Sequence, residues 1–178
     1  VSSLKKLTQD LAALAQADAQ QLQFYFSTVN PWEVVQQELI NFQPNFEQAE
    51  LAVIAEGEGT ELNLDLDRFK QIVANLLSNS IRYTEAGGQV YIHTTQDDKE
   101  WTLYVDDSPY GLTDEQLARI GERFYRVDDS RTRATGGTGL GLALSCKITQ
   151  ALGGSLSFAH SPLGGLRCKL SFPKQMKP

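Results

Sequence analysis

The chain has few of the residues that hold transition metals or staple small folds: its 178 residues include two cysteines and two histidines. Neither Cys146 nor Cys168 has another Cys or His at ligand spacing, which argues against a zinc cluster or a disulfide framework. Cys146 sits in an apolar helical pattern, and Cys168 alternates with Leu166, Leu170 and Phe172. Both are expected as small core residues in a reducing, cytoplasmic setting. Long apolar runs are missing too: no stretch approaches the roughly 20 consecutive apolar residues that a membrane-crossing helix needs. The opening Val1-Ser2-Ser3-Leu4-Lys5-Lys6 lacks the apolar core of a signal peptide, so a soluble piece is expected. Positive charge is scarce. Sixteen Lys and Arg face 22 Asp and Glu, a net charge of −6 with no basic run, which argues against a nucleic-acid partner.

What is present suits one buried core with a small appendage. Leu4, Leu7, Leu11 and Leu14 recur at alternating spacings of three and four, a helical stripe that needs another helix. That helix packs either on its own domain or in an intermolecular bundle, and the stripe alone leaves both open. Residues 20–30 show no clear period. Asn30-Pro31 offers a helix start, and Pro44 is expected to end or kink the helix before Glu47. Leu51, Val53 and Ile54 suggest a strand, and Asp65 is placed to cap a helix running to Tyr83 on Phe69, Ile72, Val73, Leu76, Leu77 and Ile81. Segments 89–95 and 101–106 alternate like a hairpin. A short helix near 113–120, a charged glycine-ended loop over 123–137, a helix over 140–152 and two strands at 155–159 and 165–172 follow. The sum is an α+β sandwich, a mixed sheet with helices on one face.

Three stretches carry chemistry. Asn75, Asn79, Arg82 and Tyr83 share one strip of the long helix: two amides, a cation and an aromatic ring. An amide oxygen suits Mg²⁺, a guanidinium pairs with phosphate and a phenol packs on a base. Two asparagines on a helix are nevertheless more often plain surface. Asp106-Asp107-Ser108-Pro109-Tyr110-Gly111-Leu112 ends a strand, where a carboxylate can accept the exocyclic amine of adenine; an ordinary polar turn has the same composition. Gly136-Gly137-Thr138-Gly139-Leu140-Gly141-Leu142 opens an apolar helix, so its N–H groups can cradle phosphate. It follows a loop rather than a strand and lacks a closing Gly-Lys-Ser/Thr, which separates it from the dinucleotide and Walker motifs.

In this order the three resemble the N box and the two glycine boxes of sensor histidine kinases, with Glu122-Arg123-Phe124-Tyr125-Arg126 similar to the phenylalanine box between them. The likeness runs from about Asp65 to the C-terminus, with Gly153-Gly154 and Gly164-Gly165 in expected places, and is greatest to envelope-stress kinases of the BaeS type. The resemblance implies a GHKL-type two-layer α/β sandwich over 29–178, preceded by part of a dimerisation hairpin over 1–28. It implies ATP or ADP and Mg²⁺ as ligands, with Asn75 on the metal and Asn79 beside it. Arg82, where lysine is common, and Arg126 would meet phosphate, Tyr83 would pack near adenine and Asp107 would read it. Gly111 and Leu112 would line the base pocket, and Gly137, Thr138, Gly139, Leu140 and Gly141 would form the cradle.

Two departures stand out. Pro109 replaces a glycine and Tyr110 a proline, which stiffens the turn beside the base; Arg82 for lysine makes a point charge a planar fork. The implied reaction moves the γ-phosphoryl group of ATP to a histidine on another helical element. Neither His93, in a strand pattern, nor His160, at a turn, matches such an acceptor. The resemblance therefore implies an acceptor upstream, no efficient self-phosphorylation, a largely monomeric fragment of a homodimeric inner-membrane sensor, and a response regulator as partner. Two rival readings remain: a clamp ATPase of the gyrase, mismatch-repair or chaperone type, whose glutamate base is absent where Asn75 stands, and an ATP-sensing module without transfer.

Overall fold

The computed structural model describes residues 2–18, 21–108, 112–127 and 138–174, and the side chains of all of these except 2–7, 17 and 18. In chain order the elements are α1 (Ser2–Asp18), β1 (Phe26–Val29), α2 (Pro31–Gln48), β2 (Ala52–Glu56), β3 (Leu62–Asp65), α3 (Leu66–Tyr83), β4 (Gln89–Gln96), β5 (Glu100–Asp107), α4 (Asp114–Arg119), α5 (Gly141–Ala151), β6 (Ser155–His160) and β7 (Leu166–Pro173). A five-stranded sheet runs β2-β4-β5-β7-β6, with β2 parallel to β4 and the other pairs antiparallel. A separate two-stranded ribbon pairs β1 with β3.

Strand alternation divides the sheet into two faces. Val90 and Ile92 of β4, Trp101, Leu103 and Val105 of β5, and Cys168, Leu170 and Phe172 of β7 are buried in the core beneath the helices. Phe69 of α3 lies edge-on to both Trp101 and Phe172, at centroid distances of 6.3 and 5.9 Å. The other face presents Tyr91, His93, Tyr104 and Arg167. Stacking puts His93 between Tyr91 and Tyr104, at 4.6 and 4.7 Å.

The long helix forms as its sequence dictates. Asp65 caps it by accepting the N–H of Arg68 at 3.0 Å, and its buried stripe is Phe69, Ile72, Val73, Leu76, Leu77 and Ser80. The β4–β5 hairpin, the capping box of Thr113 and Gln116 on α4, and helix α5 also match their sequence patterns.

One expectation needs correction. Helix α2 runs through Pro44 to Gln48, because Pro44 lies on the exposed face, where water satisfies the backbone carbonyl it leaves free, while buried Phe46 anchors the last turn. The aperiodic 20–30 segment contains β1, whose pairing with β3 ties residues from Phe26 onward to the strand that leads into α3. Of the leucine stripe of α1, Leu14 is buried in the shared core, where α1 packs on α5, and Leu11 is 49% exposed. Leu4 and Leu7 lie outside the described side chains.

Cys168 is buried and Cys146 half-buried, both free, and burial raises both thiol pKa values. No helix among the described residues is long and apolar enough to cross a membrane.

Candidate nucleotide site

The site lies where α3, the end of β5, the start of β7 and the N-terminus of α5 converge. Asp107 ends β5 and points inward at 5% exposure. Its Oδ1 accepts the Leu166 N–H at 2.7 Å, and the Ser80 hydroxyl of α3 also hydrogen-bonds its carboxyl group. Burial outweighs both contacts, and with Asp106 adjacent the pKa is pushed up to about 7. Gly165 makes the pocket possible. A Cβ there would overlap Asp107 Oδ1 and stand 2.7 Å from the Asp107 carbonyl oxygen, so only glycine allows β7 this close.

On α3 the Asn75 amide is fixed by two acceptors across the groove: its Nδ2 donates to the Gly141 carbonyl at 3.1 Å and to Ser145 Oγ at 3.0 Å. Ser145 in turn donates to the same carbonyl at 2.9 Å. With its nitrogen engaged, Asn75 offers the carbonyl oxygen as its remaining polar atom, a hard ligand suited to a small dication. Asn79, Arg82 and Tyr83 follow on α3, each half-buried, and Arg82 occupies the last turn.

Helix α5 starts at Gly141 with Leu140 as its cap residue and no side-chain cap, so its leading N–H groups face outward for an anion. Thr138 steers the approach: its hydroxyl accepts the Leu140 N–H at 3.3 Å and donates to Asp10 of α1 at 3.4 Å. Gly139 has φ +69°, and its carbonyl accepts the Phe124 N–H at 3.0 Å. Phe124 itself holds φ 61°, uncommon for an aromatic residue, with 60% of its surface exposed. Arg119 braces this turn by pairing with Glu122 at 3.0 Å and covering the Tyr125 ring at 4.1 Å.

Arg126 supplies an independent sign of an anion. Among the described residues, no group accepts a hydrogen bond from its buried Nε or Nη2. A guanidinium left that way carries a desolvation cost that a phosphate would offset. Leu112 packs against the core as a half-buried wall. Gly111 and Gly137, with Pro109 and Tyr110, lie outside the described residues.

The architecture agrees with the comparisons. A family model described as "Histidine kinase-, DNA gyrase B-, and HSP90-like ATPase" (HATPase_c) matches residues 64–176. The chain belongs to that family. Among curated HATPase_c relatives, the signal transduction histidine-protein kinase BaeS of Escherichia coli (strain K12) is 37% identical over 174 residues, covering 97% of this chain and 37% of BaeS. The chain thus spans little more than a third of that relative. The solved structure of Acinetobacter baumannii histidine kinase AdeS superposes with a TM-score of 0.82 at 25% identity, covering 99% of this chain and 81% of that one. Histidine kinase ThkA, solved in complex with response regulator protein TrrA, gives a TM-score of 0.75 at 19% identity, over 97% of this chain and 49% of that one. The sandwich is therefore the GHKL fold of histidine kinase catalytic domains.

Motif spacing singles out Asn75, Asp107 and Gly141, which the structure places around one groove, but gives no sign of Ser80, Ser145 and the Leu166 N–H, which contact Asp107 and Asn75. Serines at helical spacing look like ordinary helix residues, and a backbone donor has no sequence signature.

Proposed function

We propose that the chain is the ATP-binding catalytic module of a two-component sensor histidine kinase, presenting the γ-phosphoryl group of ATP to a histidine on a separate helical element. One observation carries this reading over ATP hydrolysis: the position facing the phosphate cradle on α3 is Asn75, an amide that cannot take a proton from water, held by Gly141 and Ser145. Asp107 would accept the exocyclic amine of adenine, and Tyr83 and Leu112 would border the base. The N–H groups at the start of α5 and the Arg126 guanidinium would bind phosphate oxygens, with Arg82 near the same chain of phosphates. Asn75 Oδ1, with Asn79 beside it, fits Mg²⁺, which when bound neutralises phosphate charge. Transfer then depends on positioning and charge, which these groups provide.

By the same reading, α1 belongs with a dimerisation hairpin that carries the acceptor, the whole protein is a homodimeric inner-membrane sensor with this module in the cytoplasm, and a response regulator receives the phosphoryl group. ThkA, named in complex with such a regulator, supports the last point by likeness of fold.

Calorimetric titration with ADP, with and without Mg²⁺, tests binding. Asp107→Asn should lower affinity about ten- to a hundredfold, the loss of a charge-assisted hydrogen bond of roughly 1.5–3 kcal/mol. Incubation with labelled ATP and an isolated acceptor helix pair tests transfer: label on the acceptor histidine supports the kinase. Phosphate release without an acceptor would point instead to a clamp-type ATPase, and binding without either product to a sensing module.

A further inference from the structure

Residues 106 and 107 face opposite sides of the sheet. While Asp107 faces the pocket, Asp106 faces away and is nonetheless buried, at 1% exposure. Its strand-register partner is Arg167 of β7. The pair is bidentate: Arg167 Nε donates to Oδ1 and Nη2 to Oδ2, each at 2.7 Å. The guanidinium also lies over the Tyr104 ring at 4.8 Å, while His93 of β4 approaches Asp106 with Nδ1 at 3.8 Å from Oδ2. Beside His93, Tyr91 is hydrogen-bonded to Glu56 of β2. The Asp107 carboxylate, next in the chain, is a like charge close enough to Asp106 to feel it.

The residues next to this pair form the pocket contacts. Leu166, immediately before Arg167, gives its N–H to the Asp107 carboxylate, and the Gly165 N–H donates to the Asp107 carbonyl at 3.1 Å. Two successive residues of β5 are thus clamped to Gly165 and the first two residues of β7, by side chains on the outer face and by backbone donors on the inner one. A planar fork on a carboxylate fixes both distance and rotation, which a single hydrogen bond does not.

We infer that Arg167, acting through its fork on Asp106, is a positioning residue for nucleotide: it sets the β5–β7 register that holds Asp107 against the Leu166 N–H. Arg167 touches no nucleotide itself. The inference rests on Asp107 being the adenine reader, and the test separates the two.

The experiment is a double-mutant cycle on the full chain, with ADP and Mg²⁺ followed by calorimetry. Arg167→Gln should weaken ADP binding about three- to tenfold, and Arg167→Lys, which keeps charge but loses the fork, should weaken it less. In an Asp107→Asn background, Arg167→Gln should add almost nothing, because the carboxylate it positions is gone. The Leu166 amide proton resonance should move in Arg167→Gln, a local sign that loss of global stability alone would not give. If Arg167→Gln does not fold, the neutral pair Asp106→Asn with Arg167→Met removes the buried charge and is read in the same cycle. ADP affinity equal to wild type in the Arg167 variants, or full additivity with Asp107→Asn, overturns the inference. Wild-type affinity in Asp107→Asn itself overturns the adenine reading.

Discussion

The two ends of the site are built differently. At the base end, the Asp107 carboxylate is already held by Leu166 and Ser80, Gly165 brings β7 close, and the Asp106–Arg167 fork closes the back. At the phosphate end, two buried Arg126 nitrogens lack a partner among the described residues, α5 starts without a side-chain cap, and Phe124 sits exposed in the left-handed region. On the proposed reading, one end is preorganised by the protein, while the other has donors that a ligand would complete. Rigid recognition of an invariant base and a phosphate end that can adapt are what a module needs if it must bind ATP and then release the terminal phosphoryl group.

The contrast is most severely broken at Gly165. Gly165→Ala forces a Cβ onto Asp107, so ADP affinity should fall more than in Asp107→Asn, with a loss of about 1–3 kcal/mol of stability from overpacking. Calorimetry and denaturant melts check both. At the other end, Arg126→Ala should cost ATP about ten- to a hundredfold in affinity while leaving the nucleotide-free melting point unchanged or slightly raised, because two nitrogens of the cation it removes have no partner among the described residues. Equal destabilisation at both ends would erase the distinction.

Acidity sharpens it further. The pKa of Asp107 is raised to about 7 in the folded protein, above its ordinary value of 3.8. Only the ionised form accepts from adenine without first losing a proton, so ADP affinity should fall by up to about tenfold per pH unit below 7. For nucleotide-free protein the sign reverses. A raised folded pKa favours the folded state below the unfolded value, and that contribution is lost as pH rises through about 7. Asp107→Asn should therefore stabilise the empty protein at pH 8 more than at pH 5, as thermal melts at the two values will show. The smallest effect is expected from Ser145→Ala, which removes one of two acceptors from Asn75 and should weaken the Mg²⁺-dependent part of ATP binding about threefold.

Legibility in the sequence followed the range of the interactions. Helix α3 was plain because Phe69 to Leu77 repeat at helical spacing and Asp65 caps locally; the β4–β5 hairpin was plain because its turn and alternation are contiguous. The ribbon of β1 and β3 was not, since four-residue strands carry too few alternations to show a period. Pro44 misled because its tolerance depends on which side of α2 meets water. Within the site, Asn75 and Asp107 were visible through their boxes, but Arg167 was not, since its partner lies 61 residues away and register between distant strands is a tertiary fact.

The Asp107–Leu166 hydrogen bond joins residues 59 apart in sequence, across α4, α5 and β6. Contacts so distant must bear the entropy of closing a long loop before they return anything. The proposed adenine pocket is complete only once β7 has paired with β5. On that reading, nucleotide selects molecules whose sheet has closed through β7, so its capture would report a completed sheet.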